Sequence, residues 1–157
     1  MGGITQAEAK AWASLAALCA IFFWFQMRMM DGWAIVDQSA RDLLSVYVVV
    51  LAMTTIAGIV IGSIGARKGG GRIEADERDL AIEARANQNE RFFIIAAINV
   101  LIWQALMEGA FAGHALPRID LGRLSTLFFL LFAVLFGGEI VKRLSTIWLY
   151  RTQAGRG

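Results

Sequence analysis

The sequence predicts an all-α fold, a four-helix transmembrane bundle in which the third span carries a cytoplasmic helical extension. Two observations predict this fold. Of the 157 residues, 57% are hydrophobic and only 18% are charged, whereas soluble proteins are about 45–50% apolar and about 25% charged. The apolar residues are also gathered into four uncharged runs that are separated by charged segments. Both properties favour lipid over water as the surroundings of the chain.

Each uncharged run is long enough, alone or with its flanks, to cross a bilayer. A hydrocarbon core of about 30 Å needs ~20 helical residues, so the run from 43 to 66 crosses alone and the others borrow flanking residues. The predicted spans are residues 11–30, 43–65, 92–111 and 122–141, in one polytopic domain that covers 1–157. Stretches such as 127–132 are apolar around the whole helix, which argues against a soluble bundle. No segment has the pattern of a β-strand.

Polar residues mark the starts of the first two helices. The segments Thr5–Glu8 and Ser39–Asp42 both fit a capping box, in which two side chains satisfy the first free amides of a helix. The first apolar run ends on the bulky residues Trp24, Phe25 and Met27, with no small-residue cleavage site. We therefore expect a retained helix and not a cleaved signal peptide.

The distribution of Lys and Arg predicts the topology. The N-terminal tail, the connector between spans two and three, and the C-terminal tail together hold eleven of them, and the two opposite loops hold four. The positive-inside rule places both termini and the connector in the cytoplasm. The predicted location is the bacterial cytoplasmic (inner) membrane, with the lipid bilayer as the first partner.

The connector is the most polar part of the chain. After Gly69–Gly71, residues 73–91 contain no Gly or Pro and are rich in helix-forming residues, which predicts a helix that runs into span three. At about 100° per residue its polar side chains sort into an acidic face and a mixed basic and apolar face. The acidic face contains Asp76, Asp79, Glu83, Asn87 and Glu90; the opposite face contains Arg78, Ile82, Arg85 and Asn89.

Three interpretations of these faces stay open. The helix is solvated; or its acidic face pairs with Lys142, Arg143 or Arg151 or with a partner chain; or Asp76, Asp79 and Glu83 supply oxygen ligands to a divalent cation. No turn gathers further ligands, so we predict no metal site and no cofactor. The candidate interaction residues are Asp76, Arg78, Asp79, Glu83 and Arg85.

The same segment carries a family resemblance. Residues 76–86, D-E-R-D-L-A-I-E-A-R-A, resemble the D-E-R-x-x-x-I-x-x-[KR]-A segment that precedes a membrane helix in small uncharacterised bacterial and archaeal integral-membrane proteins. The resemblance covers about a tenth of the chain and its general layout. It implies a membrane location and three or four spans, and it implies no reaction.

A second resemblance concerns residues 85–89, R-A-N-Q-N. This segment is similar to the R-A-x-x-N element of the membrane-associated proteins in eicosanoid and glutathione metabolism, where it helps to bind glutathione. In that family the element begins the second span, whereas here two spans precede it. The acidic residue expected three positions beyond the Asn is replaced by Phe92. A glutathione-dependent enzyme is therefore the least favoured function.

Small residues recur along the second span at a spacing of four. Thr54, Gly58, Gly62 and Ala66 form this stripe, and such residues let two membrane helices approach closely. Weaker pairs occur at Ala105/Gly109 and Ala133/Gly137. We expect the stripe to pack inside the four-helix bundle, with a homo-oligomer interface as the alternative.

Polar residues inside a span are candidate sites because they are costly in lipid. They are Asn99, Gln104, Glu108 and Glu139. Around the third span the first three point in different directions, which does not favour a pore. We expect Asn99 to bond to another helix, and Glu139 to lie near Lys142 and Arg143 in its own helix.

Most enzyme classes lack the residues that they need. Cys19 and His114 are the only residues of their kinds, so neither a disulfide nor a Cys/His metal site can form from them alone. The net charge of +2, with signs alternating, does not favour nucleic acid as a partner. We expect no catalytic residues and a structural, accessory or regulatory role, with a homo-oligomer or another membrane protein as partner. The alternative is a minimal transporter or channel.

Overall fold

Four long helices make up almost all of the computed structural model, which describes residues 6–66, 77–110 and 119–154. They are α1 (Gln6–Met29), α2 (Ala40–Ala66), α3 (Glu77–Ala110) and α4 (Leu124–Ala154). Each is long and apolar enough to cross a membrane. The all-α fold with four helices is therefore confirmed. The predicted start of the third helix at residue 73 lies outside the described residues, and α4 continues well beyond the predicted end of its span at 141.

The helices are arranged in the order α2, α1, α4, α3. α4 packs along α3 on one side and along α1 on another, α1 also packs along α2, and α2 meets α4 over a short stretch. Among the described residues, α2 and α3 share no extended contact. The flanking helices α2 and α3 therefore keep most of their apolar side chains exposed, as expected for surfaces that lipid or a membrane partner covers.

An aromatic cluster between α1 and α4 forms the centre of the bundle. The Phe25 side chain is completely buried, and its ring lies nearly parallel to that of Phe129 with the centroids 5.6 Å apart. Its centroid is 5.2 Å from that of Phe132. Leu43 and Val46 of α2 are buried in the same cluster. Because lipid is as apolar as this cluster, the contacts stabilise the fold by dense packing and not by exclusion of water.

A small hairpin joins α1 to α2, so the prediction of no strands is wrong here. The strands β1 (Met30–Asp31) and β2 (Ala34–Ile35) pair antiparallel, with Met30 opposite Ile35. Gly32 takes a φ of 60° at the first position of the two-residue turn, where a positive φ favours glycine. Strands of two residues are too short to show an alternating pattern. The end of the bundle with this hairpin is called the hairpin end, and the opposite end, where α1 begins and α4 ends, the terminal end.

Two glycines set the close approach of α3 and α4. A Cβ atom at Gly137 would lie 2.8 Å from Cε1 and Cζ of Phe93, and one at Gly138 would lie 2.9 Å from Cγ1 of Ile94. Both distances are shorter than carbon atoms tolerate. A side chain at either position would therefore force the Phe93 or Ile94 side chain to shift or the two helices to move apart.

The small-residue stripe of α2 is placed differently from the prediction. Gly58 and Gly62 are exposed, and a Cβ atom at either position would meet no atom within 4 Å. Thr54 is half-buried and donates its hydroxyl to the Val50 carbonyl of its own helix at 2.9 Å. The expected packing of the glycines inside the bundle is wrong, because α2 turns its other face to α1 and stays apart from α3.

Candidate functional site

The first half of α3 packs on the end of α4 through a buried apolar pair. Ile82 and Ala86 are almost fully buried, and they lie at the boundary between the two predicted faces. The sequence predicted that Ile82 lies on the face opposite the acidic residues. In the structure, Asp79 and Glu90 instead flank the buried pair and are themselves partly buried. The segment that precedes the third span is thus a packed element of the bundle.

Two polar contacts flank this buried pair. The Tyr150 hydroxyl donates to Oδ1 of Asp79 at 2.8 Å, and Nζ of Lys142 lies 3.3 Å from Oε2 of Glu90. Lys142 was among the predicted partners of the acidic face, and Glu90 is the residue that it meets. Both carboxylates are therefore used inside the chain.

Further contacts complete the terminal end. The Asn89 amide donates to Oγ of Ser145 at 3.1 Å, which adds a third polar contact between α3 and α4. Nε of Arg151 donates to Oε1 of Glu8 in α1 at 3.3 Å. The guanidinium carbon of Arg151 also lies 5.3 Å from the centroid of a Trp12 ring, a cation–π distance. The end of α4 is thus tied to both of its neighbours.

Glu139 lies where the sequence predicts it, beside a cation of its own helix. Nη2 of Arg143 donates to Oε2 of Glu139 at 3.3 Å, one helical turn away. The residue also borders a cavity of about 250 Å³ between α1, α2 and α4, together with Tyr47, Thr54 and Phe132. The rest of that lining is apolar, so this cavity offers little polar chemistry.

Two larger cavities lie on opposite faces of α4 at the terminal end. The inner cavity, of about 460 Å³, lies between α1 and α3 and has lining cations and carboxylates: Lys10, Asp79, Glu83, Lys142 and Arg143, beside Tyr150. The outer groove, of about 1060 Å³, has a different lining: Trp12, Arg85, Asn89, Ser145, Trp148 and Arg151. The two cavities differ in the charge of their linings, because both charged residues of the outer groove are arginines.

The five candidate interaction residues do not form one site. Asp79 and Glu83 border the inner cavity, Arg85 borders the outer groove, and Arg78 is exposed. Asp76 lies outside the described residues. Within the described ranges no three His, Cys, Asp or Glu residues are placed to hold a metal ion.

The polar residues of the third span also lie apart. Asn99 is exposed and donates its amide to the Ile95 carbonyl one turn back, at 2.8 Å. Its predicted bond to another helix is therefore wrong, because the residue faces away from α4. Gln104 is half-buried, and Oε2 of Glu108 accepts a 3.4 Å bond from the backbone amide of Leu121 beyond the end of α3. None of these three residues lines any of the three cavities described above.

Sequence reasoning missed a polar cluster at the hairpin end. The Ser125 side chain is buried at the start of α4, and its Oγ accepts the Gln38 backbone amide at 2.9 Å and donates to Oδ1 of Asp37 at 3.2 Å. Arg123 lies 3.1 Å from the Asp37 carboxylate, and this contact holds the pKa of Asp37 below its ordinary value of 3.8. The nearby cap was predictable: Oγ of Ser39 accepts the Asp42 backbone amide at 3.2 Å.

A scan against models of protein families, a search of curated proteins and a search of solved structures each find no match to this chain. The resemblance of residues 76–86 to the small membrane family therefore stays a prediction.

Proposed function

We propose that this chain is a non-enzymatic structural or accessory protein of the bacterial cytoplasmic membrane, and that it acts by helix–helix association with a second copy of itself. The observation that carries the proposal is the open glycine face of α2, defined by Gly58 and Gly62. A Cβ atom at either glycine would meet no atom within 4 Å, although α2 is a long apolar helix at one flank of the bundle.

The contrast with α4 supports this interpretation. There, Gly137 and Gly138 allow Phe93 and Ile94 of α3 to approach closely. Helices in lipid associate through such close contacts, since lipid tails compete for apolar surface and weaken any hydrophobic drive. Glycine also costs ~1 kcal/mol relative to alanine in a helix interior. Gly58 and Gly62 therefore lower the helix propensity of α2, and no close helix contact among the described residues of the single chain offsets this cost.

A second copy fits this face for reasons of symmetry and charge. Copies inserted in one membrane share one orientation, so two α2 faces meet as parallel helices about a two-fold axis along the membrane normal. No charged residue occurs in α2 after Asp42, so identical faces meet without repulsion. Leu51 and Thr55 lie on the same side as Gly58 at ~100° per residue, and both are exposed. They supply the flanking contacts of a tight pair.

The proposed orientation places the terminal end in the cytoplasm. Basic residues support it because most of those described lie at that end: Lys10, Arg78, Arg85, Arg91, Lys142, Arg143 and Arg151, against Arg28, Arg41 and Arg123 at the hairpin end. Such an excess marks the cytoplasmic side of bacterial membrane proteins.

The test is the mass of the assembly in lipid nanodiscs. We expect the purified wild-type chain to be a dimer, and the variant Gly58→Leu/Gly62→Leu to be a folded monomer with unchanged helix content. Gly109→Leu is the matched control, because Gly109 of α3 is equally open. It should leave the dimer intact.

Cross-linking gives a second measurement. In a Cys19→Ala background, Gly62→Cys should form a disulfide-linked dimer on mild oxidation, and Gly109→Cys should not. A wild-type chain that is monomeric at the same protein-to-lipid ratio would contradict the proposal. A leucine variant that stays dimeric would contradict it as well.

A further inference from the structure

We infer that the outer groove binds the phosphate group of an anionic glycerophospholipid in the leaflet at the terminal end. The groove combines two arginines, two tryptophans and short polar side chains on three helices, and its lining contains no carboxylate. This inference does not depend on dimer formation, because the groove lies on α1, α3 and α4 and the glycine face lies on α2.

The depth of the groove matches the lipid headgroups. The predicted fourth span ends at residue 141, and the α4 residues of the groove begin at Leu144, ~5 Å beyond that end at 1.5 Å per residue. The headgroup region extends about 5–7 Å beyond each side of the hydrocarbon core. Trp12 lies at the start of the predicted first span, residues 11–30, and the centroid of its ring is 5.3 Å from the Arg151 guanidinium carbon. Tryptophan favours this boundary between acyl chains and headgroups.

The two arginines are suited to a phosphate. The hydrogen bond from Arg151 to Glu8 uses Nε, which orients the guanidinium and leaves its two terminal amino groups for other acceptors. Arg85 forms no ion pair or hydrogen bond with any other residue in the described ranges. A guanidinium presents parallel N–H donors that match two phosphate oxygens. Glu8 forms an ion pair with Arg151, but no described carboxylate pairs with Arg85, so the groove keeps a positive charge that favours an anion over a zwitterion.

One side of the groove is an exposed apolar surface along which the acyl chains of a lipid can lie. It lies on the face of α4 opposite the inner cavity, and the Trp148 side chain is 70% exposed there. Leu144, one turn towards the hairpin end, is exposed on the same face and belongs to the lining. A lipid with its phosphate at the arginines can lay a chain along this surface. The inner cavity does not suit this ligand, because Asp79 and Glu83 border it.

The test is native mass spectrometry of the full chain in mild detergent, with phosphatidylglycerol or phosphatidylcholine added. We expect phosphatidylglycerol to bind at ~10-fold lower concentration than phosphatidylcholine. Arg85→Gln should weaken phosphatidylglycerol binding ~5-fold, as expected for one basic residue at a membrane surface. Arg91→Gln is the matched control and should bind as the wild type does, because Arg91 is an exposed arginine of α3 outside the groove.

Arg85→Gln is the deciding variant because it removes no described contact, and its thermal midpoint should equal that of the wild type. Arg151→Lys, which keeps the charge, serves as a second variant and should weaken binding less than Arg151→Gln. Equal binding of the two lipids, or wild-type binding by Arg85→Gln, would overturn the inference. Displacement of the lipid by equimolar glycerol 3-phosphate or glutathione would also overturn it, since the ligand would then be a soluble anion.

Discussion

The hydroxyl of Tyr150 donates to Oδ1 of Asp79 over 2.8 Å, and so joins the last turns of α4 to the first turn of α3. The ring is buried beside Ile82 in the lining of the inner cavity. The segment before the third span is thereby held on the bundle. One of the three interpretations of the charge pattern was a solvated helix. This contact does not fit that interpretation.

Loss of this hydroxyl should weaken the packing of α3 on α4. We expect Tyr150→Phe to lower the free energy of unfolding by ~1–2 kcal/mol, because a hydrogen bond to a carboxylate is lost and Asp79 keeps a partly buried acceptor. Equilibrium unfolding in mixed detergent and SDS measures this change. Tyr47→Phe is the control, since the exposed Tyr47 has a ring contact with Phe132 and its hydroxyl bonds to no described residue. An equal loss in both variants would contradict a specific role for the bond.

A methyl group at Gly137 should push α3 away from α4. We expect Gly137→Ala to destabilise the protein by ~1–3 kcal/mol, the usual cost of overpacking, although alanine favours the helix. The double variant Gly137→Ala/Phe93→Ala should be more stable than the sum of the single changes predicts, because the clash involves the Phe93 ring. Gly109→Ala, in open space, should be neutral or stabilising. Strict additivity at the pair would argue against the close approach.

Truncation of the central phenylalanine should cost more than truncation of a lipid-facing one. We expect Phe25→Ala to lose ~1–3 kcal/mol, below the ~3–5 kcal/mol usual in soluble cores, because lipid also covers this ring in the unfolded chain. Phe23, two residues away and 64% exposed, is the matched control and should change little. The same unfolding titration compares them. Equal losses would contradict the aromatic cluster as the centre of the bundle.

The hairpin end should lose stability in acid. Hydrogen bonding and charge from Arg123, followed by the hydrogen bond from Ser125, lower the pKa of Asp37 in the folded chain. A carboxyl group with a lowered pKa stabilises the folded state above its unfolded pKa of 3.8, and this contribution disappears as the pH falls through the lowered value. The stability difference between wild type and Asp37→Asn should therefore be full at pH 6 and should shrink as the pH falls below 3.8.

Salt should reduce the same difference, because Asp37 is exposed and its pairing with Arg123 is screened. Asp31→Asn in the hairpin is the control, since Asp31 forms no ion pair with any described residue. A difference between wild type and Asp37→Asn that does not shrink as the pH falls below 3.8 would contradict the assignment.

The sequence predicted where the helices lie in the chain better than it predicted which faces of the helices pack together. Runs of apolar residues and the Ser39 cap give the number and starts of helices, because both depend on residues close together in the chain. Which face of α2 meets α1 depends on the whole bundle, so the packing of Gly58 and Gly62 was predicted wrongly. Gly137 was noted only as a weak small-residue position, although a Cβ atom there would lie 2.8 Å from the Phe93 ring.

At the terminal end, the sequence predicted the charged residues of the candidate site but not its aromatic residues. Arg85 and Asp79 stand out in a polar segment, and Lys142 was among the named partners. Tyr150 and Trp148 occur in an apolar run at the end of α4, where the sequence supports only an interfacial aromatic position. Their roles depend on which helix lies opposite. No spacing within the chain indicates that Arg85 and Arg151 border one groove.

The pairing of α1 with α4 has a consequence for how the protein is made. The ribosome delivers the first helix long before the last, yet α4 supplies Phe129 and Phe132, which cover the Phe25 ring. Until α4 has been synthesised, α1 can pack against α2, lipid or the insertion machinery, but not against α4. A chain released after the third helix would lack the element that both α1 and α3 pack against, and we would expect cellular quality control to degrade it.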